Sequence, residues 1–285
     1  MTFLAATRVN YSGRLARAEL LSKKHSFAAE ILTFYAKIAE FQKSFYEGLP
    51  KKWGKHLVVP ADGNLRSELN LFPILQSFGD FLSLVGNSAP APLATEARTF
   101  LPLGKLGWSE TLQEFWKQGL HEGSAESARS TEAAPNPLSE FLCRAYIQPY
   151  AEFVAGAMLP FNLSTTVCRC PRCNSLPLLA VLRPEGDGAK RFLQCALCSQ
   201  EWDFRRIFCA FCGEEEERKL PVFVSEQFPH IRVESCQTCK RYLRSIDLTK
   251  DGNAIPMVDD LSAIPLSLWA EEQGLRRIQS NLLGT

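Results

Sequence analysis

The chain has 285 residues, 46% hydrophobic and 22% charged, with a formal net charge of +1 at pH 7. That length allows more than one domain and a core that needs no disulfide framework. The balanced charge excludes a global pull toward nucleic acid or anionic membrane, so any partner must be recognised locally.

At the N-terminus, MTFLAATRVNYSGRLARAEL offers only the short apolar stretch Phe3–Ala6, too brief for the core of a signal peptide. No later run reaches the roughly 18 apolar residues of a membrane span. The expected location is therefore the cytoplasm, without membrane insertion. Thiols there stay reduced, so the cysteines point to metal or redox chemistry.

The first half reads as helical. From Ser26 to Tyr46 the residues Ile31, Phe34, Ile38, Phe41 and Phe45 recur in steps of three and four, a one-face pattern that Gly48 and Pro50 are expected to end. Further helices are predicted over Ser12–Lys24, Leu65–Val85, Ser109–Gln118 and Pro137–Met158, which together suggest a bundle with a Phe/Leu-rich core. Gly86–Ala97 and His121–Pro137, rich in small residues, Ser, Glu and Pro, read as surface loops.

From Cys168 short β-prone runs replace the helical period: Leu178–Leu182, Arg191–Gln194, Glu201–Phe208, Pro221–Ser225, Ile231–Glu234 and Tyr242–Leu248. Beyond Asp259 a helical pattern returns, with Asp259 or Asp260 as candidate N-cap.

Eight of the ten cysteines form Cys-x-x-Cys pairs: Cys170/Cys173, Cys195/Cys198, Cys209/Cys212 and Cys236/Cys239. The gaps between successive pairs are 21, 10 and 23 residues. Corresponding pairs recur about every 40 residues, which marks a tandem duplication of one small ribbon. Two residues between cysteines let a tight turn aim both sulfurs at one ion, and a second such turn completes the tetrahedron. The ten-residue stretch SQEWDFRRIF alternates as a strand and would span roughly 30 Å or more. Its ends then belong to different sites: Cys170, Cys173, Cys195 and Cys198 to the first, Cys209, Cys212, Cys236 and Cys239 to the second. The rival grouping joins the two middle pairs across a bent loop. Tetrahedral thiolate suits zinc and iron alike.

The other candidates have plainer readings. Cys168 is a spare ligand beside Cys170 or an exposed neighbour without a role, and Cys143 is a small core residue. His25, His56, His121 and His230 lack partners at ligand spacing. Between Cys168 and Lys250, 14 Lys/Arg face 11 Asp/Glu, a thin surplus for a nucleic-acid surface. No nucleophile elbow, P-loop or dinucleotide fingerprint is present, and no catalytic residue is assigned.

The stretches KRFLQCALCSQEWDFRRIFCAFCG, IRVESCQTCKRYLRSIDL and DDLSAIPLSLWAEEQGLRRIQSNLLG resemble the formate dehydrogenase accessory proteins, the FdhE family, and RLARAELLSKKHSFAAEILTFYAKIAEFQ is similar to that family's N-terminal helical region. The resemblance implies rubredoxin-like sites, one on each cysteine quartet, with two metal ions per chain. Iron is favoured by the resemblance, and zinc fits the same ligands. It also implies no enzymatic turnover and a maturation role in the cytoplasm, the partner being the catalytic subunit of formate dehydrogenase. Homo-oligomerisation stays open. Asn174 and Ser199 stand where the family usually has a knuckle glycine, and Ser267 where it usually has aspartate. The expected architecture is α+β: an N-terminal helical bundle (1–165), two tandem rubredoxin/zinc-ribbon-like four-cysteine β modules (166–207 and 208–258), and a C-terminal helical tail (259–285). Two other readings are a redox-active iron protein and a zinc-ribbon nucleic-acid binder.

Overall fold

The structure, a computed structural model, describes residues 9–53, 60, 63–67, 74–121, 136–158 and 166–284. Among them no helix is long and apolar enough to cross a membrane. Most of the Ser/Glu-rich stretch between His121 and Pro137, and His56, lie outside the described residues.

Among the described residues, six α-helices precede the Cys-x-x-Cys pairs: α1 (Tyr11–Lys24), α2 (Ala29–Trp53), α3 (Phe78–Ser88), α4 (Ala91–Phe100), α5 (Gly104–His121) and α6 (Pro137–Ala157). α1 starts where the Asn10 side chain accepts from the Gly13 N–H at 2.8 Å, and Lys23 and Lys24 oppose the dipole at its end. α2 is buried on two faces. Phe34, Ile38, Phe45 and Leu49 enter the helical core, while Leu32, Tyr35 and Ala39 meet Leu179 and Val181 of the sheet.

α2 also runs through Gly48 and past Pro50 instead of ending there. Leu49 is fully buried beside an exposed Pro50 and a Gly48 that faces open space. Packing of Leu49 holds a last turn that propensity alone would lose.

α6 is the central helix, buried along most of its length. Tyr146 stacks among Phe45, Phe78 and Phe81 at centroid distances of 4.7–5.7 Å. Pro149 lies inside this helix and cannot bond the carbonyl of Ala145 four residues back. Gln42 of α2 supplies the missing donor, its Nε2 reaching that carbonyl at 2.7 Å.

Two further helical expectations change. Gly86–Ala97 is not a surface loop: α3 runs to Ser88, and α4 starts at Ala91 behind Pro90. Its small residues serve close helix approach. Gly86 lies under the Arg98 side chain, whose guanidinium donates to the Gly86 carbonyl, and Leu93, Ala94 and Ala97 are buried. Of Leu65–Val85, the described residues are helical from Leu75; Leu65 and Arg66 form a turn, and 68–73 lie outside the described residues.

The cysteine half builds strands β1 (Pro177–Glu185), β2 (Gly188–Cys195), β3 (Glu201–Asp203), β4 (Val222–Val224), β5 (Ile231–Ser235), β6 (Arg241–Asp247) and β7 (Arg276–Arg277). β1–β2–β3 and β4–β5–β6 are antiparallel meanders. They join into one sheet of order β3-β2-β1-β6-β5-β4 through a parallel β1–β6 pairing, with β7 beside β6. β3 stops well short of Phe208. There Phe204 turns onto Phe208, centroids 5.7 Å apart, and the Arg191 guanidinium takes the Arg205 carbonyl at 3.0 Å.

The tail forms α7 (Pro256–Ser262) and α8 (Ile264–Glu272). Neither Asp259 nor Asp260 is the N-cap residue; Ile255 is. Both aspartates are fully buried. Asp259 accepts from the Ile255 N–H at 2.8 Å and takes a fork from Arg17 of α1. Asp260 accepts from Arg277 at 2.6 Å and Asn281 at 3.0 Å, with Arg244 Nε at 2.7 Å.

Burial alone would raise the Asp260 carboxyl, but Arg244 and Arg277 outweigh it and hold the pKa below the usual value. A depressed folded-state pKa stabilises above the unfolded value and loses that contribution as pH falls through the folded one. In urea titrations the stability gap between wild type and Asp260→Asn is therefore expected to narrow as pH drops below about 4, the ordinary aspartate range. A gap constant from pH 7 to 3 would contradict this assignment.

Candidate metal centres

The structure brings Cys170, Cys173, Cys195 and Cys198 together in one group, and Cys209, Cys212, Cys236 and Cys239 in another, the sulfurs of each within 4.8 Å of one another. The two middle pairs do not share a group. All ten cysteines are free thiols. In the first group Sγ–Sγ distances are 3.5 Å (Cys170–Cys198), 3.3 Å (Cys173–Cys195) and 3.7 Å (Cys173–Cys198). In the second they are 3.8 Å (Cys209–Cys239) and 3.7 Å (Cys212–Cys236). A tetrahedron with metal–sulfur bonds of about 2.3 Å has edges of about 3.8 Å, so each quartet fits one four-coordinate ion.

One backbone device is repeated four times. The N–H of each leading cysteine donates at 2.9 Å to the carbonyl five residues on, in Ser175, Gln200, Glu214 and Arg241. The residue after each trailing cysteine is left-handed: Asn174 (φ 57°), Ser199 (φ 54°), Gly213 (φ 76°) and Lys240 (φ 56°). The turn so formed points backbone N–H groups at sulfur, Leu197 and Cys198 to Cys195 Sγ at 3.3 and 3.4 Å, Phe211 and Cys212 to Cys209 Sγ at 3.4 and 3.5 Å. Donors aimed at sulfur favour thiolate, the form a metal takes.

Only glycine holds φ near +57° without steric cost. Lys240 has an exposed side chain, so Lys240→Gly removes strain and little else. It is expected to stabilise by about 0.5–1 kcal/mol, read as a shift of the urea midpoint at constant slope; unchanged or lower stability would contradict it. Ser199 differs, because its hydroxyl donates to Glu152 at 2.5 Å.

The two quartets have different surroundings. The first is buried, each sulfur residue no more than 3% exposed, and packs into the helical core. Two side chains that sequence reasoning missed clamp it there. Arg66 donates to the Cys173 carbonyl at 2.6 Å, to Ser175 Oγ at 2.9 Å and to the Trp116 carbonyl. Glu152 of α6, whose side chain is fully buried, accepts from Arg14 at 2.7 Å, from Tyr11 at 2.5 Å and from Ser199. Burial alone would lower the Arg14 pKa, but the carboxylate outweighs it and raises it. Nothing local in the sequence signals either residue.

In the second quartet Cys212 is exposed and Cys239 half-buried, beside an exposed Phe211 under the Arg241 guanidinium at 4.0 Å. Burial pushes the Cys209 thiol up to about 11, so an ion entering here displaces protons.

Cys168 is half-buried, its Sγ 3.7 Å from the Cys209 carbonyl rather than beside Cys170 as a ligand. Cys143 is buried in α6, and burial pushes its thiol to about 12. His230 meets Asp251 and Asp259, a set no spacing announced. Arg17 already pairs with both carboxylates at 2.6 and 2.5 Å, so this is a structural ion cluster. His25 packs against Phe228.

Family models described as FdhE, central domain, and FdhE, C-terminal domain, match residues 169–206 and 193–283. A protein FdhE homolog of Aquifex aeolicus is 26% identical over 285 aligned positions, covering 95% of this chain and 94% of its own length. One from Haemophilus influenzae (strain PittGG) is 34% identical over 109 residues, 38% of this chain and 35% of that protein. The crystal structure of the FdhE protein from Pseudomonas aeruginosa shares the fold, with a TM-score of 0.66 at 21% identity over 96% of this chain and 94% of that one. Contiguous family matches over residues 169–283, a relative aligned nearly end to end and a shared fold together support the FdhE family for this chain.

Proposed function

We propose that this chain is a cytoplasmic accessory factor for formate dehydrogenase, which binds the immature catalytic subunit and performs no turnover of its own. The observation that carries the reading is the pair of complete four-sulfur quartets on one sheet. Cys170, Cys173, Cys195 and Cys198 would hold one ion, and Cys209, Cys212, Cys236 and Cys239 a second. A tetrathiolate ion supplies cross-linking of the chain, and one-electron chemistry if it is iron. Four protein ligands leave no position for an activated water, which argues against hydrolysis. The ligands brace the turns between strands, so the metal sites fix a platform against which a client can be held.

A second reading has one observation in its favour. Cys212 is exposed, and a solvent-facing iron tetrathiolate would suit electron transfer to a partner.

The test is co-purification of the catalytic subunit with the tagged chain, compared with Cys→Ser variants at one knuckle of each quartet. Retention by wild type and loss by the variants is the result expected. Equal retention by a metal-free variant, or none by wild type, would sink the proposal.

A further inference from the structure

We infer that β4 is an open edge that receives an extended, apolar segment of the incompletely folded client as a parallel strand. This rests on the accessory reading above and adds where and how the client is held.

The internal duplication gives the geometry. Aligning Cys195 with Cys236 places Arg191, Phe192 and Leu193 of β2 on Arg232, Val233 and Glu234 of β5. Their strand partners are Leu182, Val181 and Ala180 in β1, and Val224, Phe223 and Val222 in β4. So Val222–Val224 is the counterpart of Ala180–Leu182. Those three β1 residues are the ones paired on their outer side by β6, in parallel, with Ser245, Ile246 and Asp247. In the second unit no strand among the described residues fills the equivalent place: β4 ends the sheet.

The consequence for exposure is direct. Ala180, Val181 and Leu182 are at most 2% exposed, whereas Val222, Phe223 and Val224 are 53%, 38% and 69% exposed. An apolar, uncharged edge strand is a ready template for another strand. Val222 and Val224 share one face of the sheet. Phe223 points to the other, where it meets Trp269 at 4.8 Å next to an exposed Leu268.

A second copy is a poor occupant. The counterpart of Ser245–Asp247 at the other end of the sheet is Phe204–Arg206, and it turns away after its first residue: the Phe204 N–H still reaches the Arg191 carbonyl of β2 at 3.0 Å, but Phe204 packs edge-on against Phe208 and Arg205 pairs with Glu215. Head-to-tail addition thus lacks its donor strand. What fits is a segment apolar on both faces with unpaired backbone, the kind that a parallel α/β sheet hides once it is finished. Such an edge takes an unfolded client and releases a folded one.

The test probes an array of overlapping peptides covering the formate dehydrogenase catalytic subunit with full-length wild type and with Val222→Lys/Val224→Lys, whose changes fall on exposed positions. Wild type is expected to bind a few apolar segments, the double variant roughly tenfold more weakly, about 1.4 kcal/mol. N-methylation at alternate residues of a bound segment, which blocks strand pairing and keeps the side chains, is expected to abolish binding. No bound segment, equal binding by the double variant, or binding indifferent to N-methylation overturns the inference. If co-purification of the whole subunit persists in any of those cases, the inference alone fails; if co-purification is absent too, the accessory reading fails with it. A dimer that wild type forms and the double variant lacks, with no peptide bound, would assign the edge to a second copy and also overturn it.

Discussion

Cys198→Ser is expected to abolish the native fold, whereas Cys212→Ser leaves a soluble protein that carries one metal ion. Both substitutions remove one sulfur of four, so the difference comes from the surroundings. A structural tetrathiolate site contributes on the order of 10–16 kcal/mol in small metal-dependent peptides, comparable to the whole net stability of a domain, about 5–15 kcal/mol. Cys198 is 1% exposed, and its quartet is continuous with the helical core. Without the ion, buried thiols and the carbonyls tied to Arg66 lose their frame together. Cys212 is at the surface, in the unit whose outer strand β4 has three residues and ends the sheet, so loss of its ion frays one hairpin. Metal content, far-UV circular dichroism and urea titration of the two variants check this. Chelator should likewise strip the second site faster than the first. Equal damage from the two substitutions would mean that burial does not set the role of the sites.

Glu152→Ala is expected to destabilise by about 3–5 kcal/mol, because it leaves the buried Arg14 guanidinium without its counter-ion. It also orphans the Tyr11 and Ser199 hydroxyls. Ser199 is the left-handed knuckle residue after Cys198, so the carboxylate ties α1 and α6 to the first site and offsets the strain of a serine where glycine fits more easily. Ser199→Gly would relieve the backbone and lose this bond, opposite in sense to Lys240→Gly. A double variant, Arg14→Met with Glu152→Met, is expected to recover most of the loss. If Glu152→Ala costs less than about 1 kcal/mol, the range of an ordinary hydrogen bond, the coupling is absent.

The readable features in the sequence were those with a local period. α2 follows apolar spacing, the six principal strands coincide with β-prone runs set between turn residues, and the cysteine pairs follow the short turn that a knuckle needs. Features set by contact between distant segments were silent. The close approach of Gly86 to Arg98 looks in sequence like a loop of small residues, and helix continuation past Pro50 depends on where Leu49 is buried. Asp259 and Asp260 look like caps because their arginine partners lie far away in the chain. Glu152 is separated from Tyr11 by 141 residues, and no spacing rule connects them. The parallel β1–β6 joint, which makes one sheet of two ribbons, is likewise invisible until both meanders are in register.

The most direct test of the account is the metal content and absorption spectrum of the chain purified without oxygen from cells supplied with both iron and zinc. Two ions per chain, falling to one in Cys212→Ser, is the result predicted. A ferric tetrathiolate spectrum on oxidation would identify iron, and a colourless protein with two zinc ions would make the sites purely structural. A stably folded chain with no bound metal, or with one ion shared by Cys195, Cys198, Cys209 and Cys212, would contradict the account.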